Sequence, residues 1–197
     1  MKALKLTLIA AVLILLSCTP KTVKRSVVTT TPTPSPTNVE TDTKFPDSWL
    51  GKWKGELKIS KGSGVIQTLP MKLSIQLTDK AGQYSWLTTF GDKAETAKPY
   101  ILKTLDEENG LYVMDEENSI KLESYLFENK LVSWYVVQGS LILASFEKRA
   151  ATIVFEILVG KEEAVSVTGG EAVDGEMIPE VKTMPFTAMQ RAFLSRE

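Results

Sequence analysis

"NGLYVMDEENSIKLESYLFENKLVSWYVVQGSLILASF" (109–146) decides the fold. Its apolar residues return at every second position in "LYVM" (111–114), "SIKLESYLF" (119–127), "LVSWYVV" (131–137) and "LILASF" (141–146). Successive side chains of a strand point to opposite faces, so a period of two reads as strand. The intervening "DEEN" (115–118), "ENK" (128–130) and "QGS" (138–140) are too short for a crossover, so sequential strands must pair antiparallel. Asn109-Gly110 opens the stretch with the dipeptide that best tolerates positive φ, a hairpin signal.

The same reading extends outward in both directions. "WKGELKI" (53–59), "LPMKLSIQL" (69–77), "QYSWLTTF" (83–90), "PYILKTL" (99–105) and "ATIVFEIL" (151–158) alternate as well, and "EKRA" (147–150) and "GKEEA" (160–164) are further short links. About ten strands and hardly any helical periodicity predict an all-β, antiparallel up-and-down meander. Closing it into a barrel removes the exposed edges. An open or sandwiched antiparallel sheet is the alternative.

"WLGKWKGEL" (49–57) carries a resemblance. Gly51-Lys52-Trp53 at the head of the first strand resembles the G-x-W of lipocalin-like barrels. That resemblance implies a Trp53 that plugs the closed end, and a late Arg191 or Arg196 from "MQRAFLSRE" packed across its indole. No T-D-x-R second motif and no C-terminal helix pattern accompany it, and the connection "SKGSGVIQT" (60–68) is too short for a two-helix lid. In a barrel of about ten strands there is interior room for a ligand. Tyr84, Trp86, Phe90 and Tyr100 are the candidates to line a cavity for a small apolar or amphipathic molecule; a filled core is the alternative.

Strands 131–137 and 140–147 are apolar on both faces. Val132, Trp134, Val136 and Ile142 are the expected interface residues, since a barrel wall in water should be polar outside. The cover is the segment 171–186 folded back, a second copy making a homodimer, or an envelope protein partner.

The first 17 residues combine Lys2 and Lys5 with the apolar run Leu6–Leu16. A span needs roughly 20 apolar residues, so this run reads as a cleaved export signal. Leu15-Leu16-Ser17-Cys18 resembles the bacterial lipoprotein signal. The resemblance implies that Cys18, the only cysteine, becomes the first mature residue and carries acyl chains such as palmitate. The membrane is then a partner through that lipid, and Thr19 rather than Asp implies the outer membrane of the bacterial cell envelope. Residues 18–44 are the lipidated Cys and a tether: positions 19–44 hold nine Thr, four Pro and no aromatic residue, too little apolar surface to fold. At ~3.1 Å per residue the stretched tether reaches roughly 80 Å. The domain is residues 45–197.

Function classes narrow by elimination. Loss of Lys2 and Lys5 with the signal leaves 21 basic against 24 acidic residues, net −3, which argues against nucleic acid. With no histidine there is no Ser-His-Asp triad and no usual zinc or haem site. Neither G-x-S-x-G nor a Gly-rich phosphate loop occurs. The runs Asp106-Glu107-Glu108 and Asp115-Glu116-Glu117 fall in turns and read as solvated charges. No catalytic residues, metal or cofactor are expected, and the chain reads as a non-enzyme. It binds either a small ligand inside the barrel or a protein, as an assembly factor or hydrolase inhibitor.

Overall fold

Residues 44–197 are described in a computed structural model. Ten of its strands close into a barrel: β1 (Gly51–Lys61), β2 (Gly64–Leu77), β3 (Gln83–Phe90), β4 (Ala97–Asp106), β5 (Leu111–Asp115), β6 (Lys121–Phe127), β7 (Lys130–Val137), β8 (Ser140–Arg149), β9 (Thr152–Lys161) and β14 (Phe186–Arg196). All neighbours are antiparallel. The order is sequential from β1 to β9, and β14 fills the gap between β9 and β1. Residues 44–197 lie within a single compact unit.

The closure follows from the pleat. Trp53 and Leu57 on β1, Met71, Leu73 and Ile75 on β2, Trp86 on β3 and Leu102 on β4 all point inward and are buried. Lys52, Lys54, Glu56 and Lys58 alternate with them and face water. Each such Leu or Ile stabilises the fold by roughly 1.5–3 kcal/mol, enough to hold one register against a slip that would turn it outward.

Two turns use glycine for specific reasons. The link at 107–110 is longer than a two-residue hairpin, and only Gly110 takes positive φ (64°). Asp106 accepts from the Asn109 backbone and side chain (3.1 and 2.8 Å), which orders the turn. A Cβ on Gly110 would lie 2.7 Å from the Leu126 carbonyl oxygen. Between β7 and β8, Gln138 and Gly139 both have positive φ, the tight-hairpin geometry. At 60–68 the expected connection is itself strand: β1 and β2 run on to a turn at Gly62-Ser63, with a register shift at Ile59/Ser60.

Two expectations about the apolar wall need correction. The segment between β9 and β14 does not fold back over it. It forms an arm of two short antiparallel pieces, β10 (Ser166–Thr168) with β13 (Val181–Thr183) and β11 (Ala172–Val173) with β12 (Glu176–Met177). The arm is exposed along residues 165–184, and Trp134 keeps 71% of its surface. Ile142 is not an outer residue. Tyr135 pairs with Ile142 and Trp134 with Leu143, so Ile142 points inward and is 2% exposed. The outward residues of β8 on this wall are Leu141 and Leu143, beside Val132, Trp134 and Val136 of β7.

Candidate functional site

One end of the barrel is capped by residues 44–50. A 3-10 turn at Asp47–Trp49 places Trp49 inside, 1% exposed. Phe45 meets Trp49 and Tyr112 edge-on, at 4.7 and 4.9 Å between centroids. Hydrogen bonds fasten the cap to the wall. Trp53 Nε1–H donates to the Trp49 carbonyl (3.0 Å), Tyr84 Oη–H to Asp47 (2.9 Å), and Lys148 Nζ to the Ser48 carbonyl (2.9 Å). Burial, then the hydrogen bond to the Asp47 carboxylate and its charge, push the Tyr84 phenol up to about 12.

At the same end Arg196 lies over the Trp53 ring and donates to the Leu50 carbonyl. Arg191, the other candidate, is on the outer wall, paired with Glu156 of β9. Gly51 makes the stacking possible, since a Cβ there would stand 3.1 Å from the Arg196 guanidinium nitrogens.

Above the cap the interior is aromatic. The Trp86 ring meets Trp49 at 6.3 Å and Phe146 at 5.0 Å; Phe155 meets Phe146 at 4.9 Å and Phe90 at 6.0 Å. Tyr100 is the register partner of Trp86, and Tyr135 faces inward from β7. Phe90, Tyr100, Tyr135 and Phe146 point into a closed barrel, yet each keeps part of its surface accessible.

The polar groups of this lumen are few. Ser124 and Ser133 satisfy each other at 2.7 Å. Burial, followed by the Glu116 charge, pushes Tyr135 up to about 12; the same causes, with Tyr135 last, raise Tyr100. Both phenols therefore stay protonated at neutral pH. The Trp86 indole nitrogen is the one buried side-chain nitrogen or oxygen without a hydrogen-bond partner among the described residues. No group of three Asp, Glu, His or Cys suited to a metal ion occurs among them. Asp115, itself buried, instead pairs with Lys103 (2.7 Å), and that bond, followed by the Glu117 backbone N–H, holds its carboxyl below the usual range.

Of the four expected lining residues, Trp86, Phe90 and Tyr100 face the barrel interior, Trp86 against Trp49 of the cap and Phe90 against Phe155, whereas Tyr84 is bonded to Asp47 of the cap. Tyr135, Phe146 and Phe155 also face inward, as their register with Ile142, Leu131 and Ala192 shows. Cys18 and the tether up to residue 43 lie outside the described residues.

No protein-family model matches this chain, and no curated protein matches it. A solved structure shares the fold. It is a protein of unknown function from the DUF3598 family of Nostoc punctiforme, at TM-score 0.51 and 14% identity. The match covers 75% of this chain and 47% of that one, so this chain spans about half of that neighbour's length. At such identity the likeness is one of fold.

Proposed function

We propose that this chain is an envelope lipoprotein, anchored through Cys18 and held off the outer membrane by its Thr/Pro tether. Its lipocalin-like barrel carries a small apolar or amphipathic molecule without catalysis. The observation that carries this reading is the partly accessible aromatic surface inside the barrel, at Phe90, Tyr100, Tyr135 and Phe146. Apolar walls with a few fixed polar groups are the usual make-up of a small-molecule pocket. Native mass spectrometry of residues 45–197, isolated from host cells, tests it. An added mass of a few hundred daltons that is lost on denaturation is expected; a bare chain mass from cells grown in several media would sink the carrier reading.

A second reading has its own support. Trp134 and Val136 stand exposed in an apolar outer wall with Leu141 and Leu143. Contiguous exposed apolar surface marks interaction sites. A protein-binding lipoprotein, an assembly factor or hydrolase inhibitor, or a homodimer would use this wall and need no lumen ligand. Crosslinking in intact cells from position 134 separates the two: a specific adduct favours the protein partner.

A further inference from the structure

The arm and the outer face of the first two strands carry opposite charge. Residues 162–184 hold the six acids Glu162, Glu163, Glu171, Asp174, Glu176 and Glu180 against a single base, Lys182, a net of −5. The arm's one ion pair among the described residues is internal, Lys182 with Glu180 at 3.2 Å. Val173, Met177 and Val181 stand exposed among the acids.

On the barrel the pleat gathers the other sign. Lys52, Lys54 and Lys58 alternate with the inward residues of β1, and Lys72 of β2 is the register partner of Lys54. All four are exposed. Glu56 is the one acid of these two strands, so the four lysines leave the face at +3. Lys54 reaches Glu197 at 3.8 Å, whereas Lys52, Lys58 and Lys72 enter no ion pair among the described residues. Phe193 of β14 stands exposed in the middle of this face, as the register partner of Glu56 between Lys54 and Lys58. Arm and face thus share a make-up, apolar side chains ringed by charge, that suits a protein interface. Their charges are complementary, and no ion pair joins them within one chain. A second copy supplies both missing surfaces, and a two-fold axis makes the contact twice.

We propose that this chain associates as a two-fold pair, the acidic arm of one protomer docking on the lysine face of the other around Phe193. Charge steers the encounter, and the apolar contact at Phe193 holds it. The contact uses neither the lumen nor the β7–β8 wall. Sedimentation equilibrium of residues 44–197, which contain the closed barrel and the arm, tests it. A monomer–dimer equilibrium is expected, at least ~10-fold weaker in ~0.3 M than in ~0.02 M salt, since exposed charges are screened. Lys52→Glu with Lys58→Glu should weaken dimerisation at least ~10-fold, and so should Glu171→Lys with Glu176→Lys. Mixing the two double variants should restore a heterodimer, which misfolded chains would not form. Phe193→Ser should weaken the dimer without changing its salt dependence. A monomer at every concentration, a mass above the dimer, or a mixture without rescue overturns the inference. So does a dimer that ignores both charge reversals but is lost in Trp134→Ser, which would give self-association to the β7–β8 wall and leave that reading standing. Charge reversals that spare the dimer but abolish binding to phosphatidylglycerol vesicles would overturn it too, by giving the lysine face to a membrane.

Discussion

The Arg196 guanidinium lies 5.1 Å from the centroid of the Trp53 ring, and Gly51 is the residue that leaves it room. The two ends of the domain are thereby tied together, because β1 and β14 are also register partners at Trp53 and Arg196. Arg196→Ala should destabilise the barrel by about 1–2 kcal/mol, the sum expected for a partly exposed cation–π contact and one hydrogen bond. Arg196→Lys should recover part of it, since an ammonium keeps the charge but lacks the planar fork. Gly51→Ala should cost at least as much, as φ there is +131° and the new methyl crowds the guanidinium. Urea midpoints at constant slope are the readout; an unchanged midpoint in Arg196→Ala would show the contact to be idle.

Trp134 and Ile142 belong to neighbouring strands and to opposite faces. Ile142→Ala should lose about 2–5 kcal/mol, the range for a large aliphatic removed from a core. Trp134→Ser should change stability by less than about 0.5 kcal/mol, as is usual for exposed positions. It should reduce any self-association seen by sedimentation. The reverse ranking of the two variants in thermal melts would mean that the β7–β8 register is wrong by one residue.

Alkali should loosen the cap. Tyr84 ionises in the folded barrel at about 12, above its ordinary value near 10. Its contribution is therefore complete below pH 10, and is lost as pH rises through the folded value near 12. Tyr84→Phe removes the bond to Asp47 and should lower stability at neutral pH by about 1–2 kcal/mol. It should also flatten the loss of stability between pH 10 and 12. A variant whose alkaline profile matches the wild type would place the sensitivity elsewhere, Tyr135 being the next candidate.

Where Lys alternates with Leu or Ile, as in β1 and β2, the strand and its inward face are legible in the sequence. The wall at β7–β8 is not, because apolar residues on both faces leave the inward side undecided, and only pairing with Leu131 and Phe155 places Phe146 inside. The tenth strand is hidden for the opposite reason. In β14 the inward residues Ala188, Gln190 and Ala192 are small or polar, and Phe193 faces out. The close approach of β1 is marked instead by Gly55, where a Cβ would run into the Phe193 carbonyl. The cap escapes periodicity altogether, being a single turn whose meaning lies in contacts to Tyr84, Tyr112 and Lys148.

The arm should be dispensable for folding. A two-stranded ribbon without a covered apolar face adds little stability of its own, and every residue from Val165 to Met184 is exposed. Its two ends are already joined beneath it. The Lys161 N–H donates to the Pro185 carbonyl at 3.1 Å, and Gly160 pairs with Phe186. Replacing residues 162–184 by a short glycine-containing turn should leave the unfolding midpoint within about 0.5 kcal/mol of wild type. Limited trypsin digestion of residues 45–197 should cut first after Lys182, inside the exposed arm, before any barrel strand. The shortened protein should retain any binding that belongs to the lumen and lose any that belongs to the arm's exposed Val167, Met177 and Val181. A non-cooperative or strongly destabilised melt would mean instead that the arm is part of the barrel's folding unit.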